Sequence, residues 1–170
     1  MGNKQIRTAI EGAIGYLSDN PAEARYTDSP ATAVIDGLRS TVTGTNGEEL
    51  VTDMPESVGG GDSAPSPGWM MRAAIASCEA TLIAMRAAHL GIDLTQLEVT
   101  VDSESDDRGI LGMDDDILAG PLWARIGVKI AANGSSAEEL QEIVAWADQH
   151  CPVSDSLQRA IPTTVEVEIL

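Results

Sequence analysis

The chain has 170 residues, a length typical of a single domain, and its core must be built without Phe, which is absent. Ten basic residues against 27 acidic ones give a formal charge of -17, which argues against nucleic-acid binding and against attraction to an anionic membrane. The N-terminal residues lack the apolar run of a secretory signal, so we expect a cytoplasmic protein.

The first half of the sequence predicts a helix followed by a β-hairpin. Ile6, Ile10 and Ile14 recur at helical spacing and predict an amphipathic helix. Asn46-Gly47 predicts a type I′ turn, since both residue types tolerate positive φ. The predicted elements are a helix over 4–18, strands over 31–43 and 49–53, and a glycine-rich loop over 55–66.

The most apolar segment predicts a long helix over 67–90. Ser66 is a suitable N-cap, Pro67 suits the first helical position, and Gly91 ends the helix. Three charged residues spaced by seven form one narrow stripe, and most other positions are apolar: Arg72, Glu79 and Arg86. We therefore expect this helix to be packed on most sides, partly by a second copy of the chain.

The second half predicts further strands and helices. Ser135 to Glu138 reads as a capping box that begins a helix. The predicted elements are strands over 97–101 and 122–130, a helix over 136–149, a short helix from Pro152 to about Ala160 and a final strand over 164–169. This order indicates an α+β fold with an antiparallel sheet against a central helix.

The acidic stretch 102–116 and the glycine loop do not predict a ligand site. Asp102, Glu104 and Asp106 alternate as the first ligands of an EF-hand do, but the required glycine and final glutamate are missing. The loop with Gly59 to Gly61 lacks the Lys and Ser/Thr of a phosphate-binding loop. We expect no bound metal and no bound cofactor.

The two cysteines are the candidate reactive groups. Cys78 lies in the middle of the 67–90 helix, where it is either a small core residue or a reactive thiol. Cys151 precedes Pro152 at a predicted helix start, where the positive end of the helix dipole favours a thiolate, with His150 adjacent. Cys151 alternatively serves as a simple helix cap.

The sequences around these cysteines resemble those of a known family. Residues 66–78, SPGWMMRAAIASC, and residues 150–154, HCPVS, resemble the OsmC/Ohr family of osmotically inducible and organic hydroperoxide resistance proteins. The resemblance covers about residues 30–170 and implies one OsmC-like domain over 1–170, with an extra N-terminal helix in 1–22. The implied fold has antiparallel sheets around a long buried helix, in an intertwined homodimer.

The resemblance also implies a function. Cys78 would attack an organic hydroperoxide or hydrogen peroxide, Cys151 would close a disulfide with it, and an external dithiol would reduce that disulfide. Arg39 is the best-placed residue to stabilise the thiolate, ahead of Arg25 and Arg72. The glutamate that peroxidase members carry ten residues before the attacking cysteine is replaced by Gly68. The alternative is a non-catalytic dimer that binds an apolar small ligand at its interface.

Overall fold

The computed structural model describes residues 2–170, in which helices and two antiparallel sheets alternate. The helices are α1 (Asn3–Asp19), α2 (Pro67–Leu90), α3 (Asp107–Ile110), α4 (Ala137–His150) and α5 (Pro152–Gln158). The strands are β1 (Ala31–Asp36), β2 (Arg39–Gly44), β3 (Glu49–Thr52), β4 (Leu94–Glu104) and β5 (Trp123–Ala132). One sheet has the order β1-β2-β3 and the other consists of β4 and β5.

The N-terminal sheet differs from the prediction at both of its turns. The strand predicted over 31–43 is two strands, because Gly37 adopts a φ of +61° and reverses the chain between β1 and β2. At the next turn only Gly47 has a positive φ, so the predicted type I′ turn does not form. A four-residue loop replaces it, closed by the Gly44 N–H donating to the Glu48 carbonyl over 2.9 Å.

Helix α2 has the predicted bounds and forms the centre of the fold. Ser66 Oγ accepts a hydrogen bond from the Trp69 N–H, and Gly91 ends the helix with a φ of +77°. The core lies between α2, α4 and the sheet of β4 and β5, and its fully buried members are Ile83, Ala87, Ile143 and Ala147.

The opposite face of α2 is open within one chain, where the sequence predicts packing by a second copy. Ala74, Ser77 and Thr81 are exposed along this face. The sheet of β1 to β3 does not cover them, since it has no extensive packing against α2 within one chain. Helix α1 packs against α2, and the Asn3 side chain donates to the Ile92 carbonyl beyond its end.

The C-terminal part contains two corrections to the prediction. The capping box of α4 lies one residue later than predicted, between Ser136 and Glu139. The predicted final strand over 164–169 does not form, and Val165 and Ile169 are 86% and 91% exposed. Within residues 2–170 no strand pairs with this segment. No helix within residues 2–170 combines the length and apolarity needed to cross a membrane.

Candidate thiol site

The fold brings the two cysteines together although 73 residues separate them in sequence. Cys78 lies in the middle of α2 and is partly buried, whereas Cys151 is completely buried at the junction of α4 and α5. The Cys151 thiol and the Val153 N–H both lie close enough to the Cys78 sulfur to change its pKa. Two elements distant in the chain therefore form one dithiol site.

The surroundings of Cys78 favour its neutral thiol. Burial, followed by the neighbouring Cys151 thiol, raises the pKa of Cys78 above its ordinary value. The Val153 N–H acts in the opposite direction by donating to the sulfur, while the Glu79 carboxylate adds to the rise. Within residues 2–170 of one chain, no cationic side chain contributes to stabilising the thiolate.

Cys151 does not act as the side-chain cap that the sequence suggested. It occupies the N-cap position of α5, but its side chain makes no capping hydrogen bond and is completely buried. Pro152 follows at the first helical position, where the missing N–H costs nothing. The neighbouring His150 is exposed and stacks on Trp146 with ring centroids 4.2 Å apart.

A buried carboxylate beside Cys78 was not recognised from sequence. Glu79 is 1% exposed, and its Oε1 accepts a hydrogen bond from Oγ of Ser154, which is 2% exposed. A signal for this burial exists in the sequence, because Glu79 lies four residues from both Ile75 and Ile83 and so shares their buried helical face. Its partner could not be identified, since the two residues are 75 positions apart.

The third predicted site residue, Arg39, does not meet the thiols within one chain. It begins β2 opposite Asp36 and forms no ion pair within the described residues. The substituted position Gly68 is exposed in the first turn of α2, where an added Cβ would approach only Ser66 Oγ, at 4.0 Å. There is therefore space for a larger residue at position 68.

A cleft of about 790 Å³ opens near the N-terminus of α2. Its lining includes Gly68, Met71 and Arg72, whose Nη1 donates to Ser103 Oγ over 3.3 Å. The cleft lies between the loop that leads into α2 and the loop between β4 and β5. It is the largest space beside the position where the resemblance expects a glutamate.

Asp53 organises the loop that leads into α2. Its carboxylate accepts hydrogen bonds from the Met54 and Gly61 N–H groups and from both the N–H and the hydroxyl of Ser63. The bonds from Ser63 are the main cause that lowers the pKa of Asp53 to about 2. Gly60 is required for this fold of the loop, because an added Cβ would lie 1.9 Å from the Met54 carbonyl oxygen.

The acidic stretch 102–116 is partly neutralised by local ion pairs. Asp102 pairs with Arg125 across β4 and β5, and Asp106 pairs with Arg108 at the start of α3. Within residues 2–170 no group of three or more potential ligands is arranged to hold a metal ion. Of the alternating residues, Asp102 and Glu104 lie in β4, and Asp106 is the N-cap of α3.

Solved structures with the same fold come from several bacteria. An OsmC-like protein from Mycoplasma pneumoniae aligns with a TM-score of 0.67 at 17% identity, covering 80% of this chain and 91% of the other. An organic hydroperoxide resistance protein from Elizabethkingia anophelis aligns at 0.59 and 21% identity, covering 80% and 91%. One named OsmC from Legionella pneumophila aligns at 0.56 and 23%, covering 79% and 91%.

The sequence itself places the chain in a family. No curated protein sequence matches it. Residues 59–166, nearly two thirds of the chain, match the family described as OsmC-like protein. The matched range includes α2, α5 and both cysteines, and the structural likeness extends over most of the chain. The chain therefore belongs to the OsmC-like protein family.

Proposed function

We propose that the protein is a cytoplasmic thiol peroxidase that reduces organic hydroperoxides or hydrogen peroxide through Cys78 and Cys151. The observation that carries this proposal is the proximity of the two thiols, which come from distant parts of the chain and lie close enough for Cys151 to affect the pKa of Cys78. The names of the Legionella pneumophila and Elizabethkingia anophelis structures, both organic hydroperoxide resistance proteins, support the same chemistry. A compartment with reducing thiol pools suits a pair that must return to the reduced state.

The proposed cycle uses only these two thiols and a dithiol. The Cys78 thiolate attacks one peroxide oxygen, the O–O bond breaks, and the departing alkoxide takes a proton to give the alcohol. Cys78 is then a sulfenic acid. The Cys151 thiol attacks its sulfur, a disulfide forms, and the hydroxyl leaves with the thiol proton as water. An external dithiol reduces the disulfide by exchange and becomes a disulfide itself.

The raised pKa of Cys78 means that the first step needs a cation that one chain does not supply. Arg39 of a partner subunit is our candidate for it. The β1 to β3 sheet leaves Val34, Ile35 and Leu50 more than half exposed, and the outer face of α2 is also open. A homodimer that packs these surfaces together would bury them and would bring the second chain close to Cys78.

Titration with cumene hydroperoxide tests the catalytic roles. One equivalent should remove two free thiols per chain and leave one intramolecular disulfide, which dithiothreitol reverses. Cys151→Ser should stop at a sulfenic acid or pass beyond it, and Cys78→Ser should leave Cys151 slow to react. Arg39→Met should move the pH dependence of Cys78 oxidation to higher pH, whereas Arg7→Met, which removes the exposed Arg7–Glu11 ion pair of α1, serves as a control. If Cys151 reacts with hydroperoxide at the wild-type rate in Cys78→Ser, Cys151 is the attacking thiol and Cys78 is the residue that closes the disulfide.

Sedimentation measures the proposed assembly directly. We expect a homodimer at micromolar concentration, because a monomer would leave the apolar surfaces of the β1 to β3 sheet and of α2 exposed to water. A folded monomer under these conditions would contradict the proposal. It would also remove the route by which Arg39 reaches Cys78.

The second candidate function is a non-catalytic dimer that binds an apolar ligand. The specific observation that favours it is the raised pKa of Cys78, together with Gly68 at the position of the expected glutamate. If neither thiol reacts with hydroperoxide faster than free cysteine does, this function replaces the peroxidase. Binding of an apolar fluorescent probe by Cys78→Ser then provides its positive test.

A further inference from the structure

A buried carboxylate lies next to the proposed attacking thiol. Glu79 follows Cys78 on α2, and the residue is 1% exposed. Its Oε1 is 2.5 Å from the hydroxyl oxygen of Ser154, which donates the hydrogen bond. Glutamate is almost never fully buried unless it is paired, because removing its charge from water is unfavourable. The hydroxyl of Ser154 therefore supplies a hydrogen-bond partner for this buried carboxylate.

The Glu79–Ser154 hydrogen bond lies next to the place where the Cys78 and Cys151 thiols approach each other. Cys78 and Glu79 are neighbours on α2, while Cys151 and Ser154 are three positions apart and face the same side of α5. Both Cys151 and Ser154 are at most 2% exposed. Within residues 2–170 we find no other hydrogen bond between side chains of α2 and α5. A helix as short as α5 is not stable alone, so its placement depends on such contacts.

We propose that Glu79 and Ser154 are positioning residues that clamp α5 to α2 and so keep Cys151 within reach of Cys78. The biological use of this clamp rests on the proposed function, because the clamp acts in the step in which the Cys78–Cys151 disulfide forms. That step requires Cα atoms about 4.4–6.8 Å apart. Without the clamp, α5 moves relative to α2, and Cys151 spends less time near the Cys78 sulfur.

The charge of Glu79 acts on the two steps of the cycle in opposite directions. The carboxylate disfavours the Cys78 thiolate and so opposes the attack on peroxide. As a charged acceptor it forms a stronger hydrogen bond than a neutral one, which favours the closing step. Glu79 also lines a cavity of about 940 Å³, whose polar lining includes Gln96, Lys129 and Asp148. Glu79→Gln keeps an acceptor oxygen and removes the charge, so it separates the two effects.

The equilibrium between dithiol and disulfide tests the clamp without any hydroperoxide. The full chain is equilibrated with mixtures of reduced and oxidised dithiothreitol, and the Cys78–Cys151 disulfide is quantified by alkylation and mass spectrometry. Ser154→Ala should lower the equilibrium constant for disulfide formation about tenfold or more, from the net worth of a hydrogen bond to a charged group. Glu79→Gln keeps the acceptor oxygen but loses the charge, so its equilibrium constant should lie between those of wild type and Ser154→Ala.

Ser156→Ala is the matched control. It removes a hydroxyl from the same helix, but that hydroxyl donates to the Val153 carbonyl within α5 and not to α2. We expect its disulfide equilibrium to equal that of wild type. A Ser154→Ala value that also equals wild type, or a Ser156→Ala loss as large as that of Ser154→Ala, overturns the clamp.

A further variant guards against loss of folding. Ser154→Ala leaves Glu79 buried without its donor, and the chain with this change can unfold. The double variant Glu79→Leu with Ser154→Ala replaces both polar groups by apolar ones, which preserves packing. It should show the same tenfold loss of disulfide formation, and a wild-type value in this folded variant overturns the proposal.

The pH dependence of Cys78 alkylation supplies a readout that a merely structural pair would not change. In a Cys151→Ser background, Glu79→Gln should move the reaction of Cys78 to lower pH, because an opposing charge is removed. An unchanged profile overturns the electrostatic part of the proposal. If the protein does not react with hydroperoxide but Ser154→Ala still lowers the disulfide equilibrium constant tenfold in dithiothreitol, the clamp is supported and the peroxidase function is contradicted.

Discussion

Truncation of Ile83 tests whether the core described between α2 and α4 holds the site in place. Ile83 is 0% exposed and contacts a cluster that includes Ile143 and Ala147. Ile83→Ala removes three carbon atoms, worth about 2.4 kcal/mol in transfer free energy at about 0.8 kcal/mol for each. The cavity left behind adds to this, so we expect a loss of about 3–4 kcal/mol in the free energy of unfolding.

Urea unfolding at one fixed protein concentration measures this loss, since assembly makes stability depend on concentration. The melting temperature should fall by roughly 6–16 °C, at about 2–4 °C per kcal/mol for a chain of this size. Ile83→Val should cost only about 1 kcal/mol, because one methyl group is removed. Ile14→Ala, at a position of α1 that is 51% exposed, should change stability by no more than about 0.5 kcal/mol.

A loss of less than about 1 kcal/mol in the free energy of unfolding for Ile83→Ala would refute this prediction. A loss for Ile14→Ala as large as that for Ile83→Ala would refute it as well. Either result would mean that the face of α2 carrying Ile83 is not the buried one. The position of Cys78 would then change as well, because it lies on the same helix five residues earlier.

Two further predictions concern local structure. Asp53 has a folded pKa of about 2, below its ordinary 3.8, so its ionised form stabilises the fold above about pH 4 and this contribution is lost as pH falls towards 2. Asp53→Asn should lower stability at neutral pH and flatten the acid limb of a urea-unfolding series, and an unchanged limb would count against the loop geometry. Ser136→Ala removes the capping box shared with Glu139 and should cost about 1 kcal/mol in the same assay, whereas Ser135→Ala should cost much less.

The long elements could be predicted because their signals are local. Ser66, Pro67 and Gly91 mark both ends of α2, and the structure begins and ends the helix there. The alternation in β4 and β5 likewise predicted their existence, although both strands are longer than expected. The functional roles of Cys78 and Cys151 came from the resemblance and remain predictions.

The missed features depend on contacts between distant residues or on single backbone angles. The pairing of Glu79 with Ser154 joins residues 75 positions apart, and no local pattern connects the two. The break between β1 and β2 depends on one positive φ at Gly37 within an apparently continuous strand. The predicted strand at 164–169 has a suitable alternation, but a strand also requires a neighbour, and one chain provides none there.

The separate N-terminal sheet has a consequence for biosynthesis. Its three strands are joined by short turns, so it can form before α2 has left the ribosome. At that stage both edge strands and the apolar side chains of Val34, Ile35 and Leu50 face solvent, which is the arrangement that promotes aggregation. Acidic residues at the strand ends, including Asp36 and Glu49, place like charges on every copy. We expect this excess of acidic residues to oppose association of nascent chains through the exposed sheet.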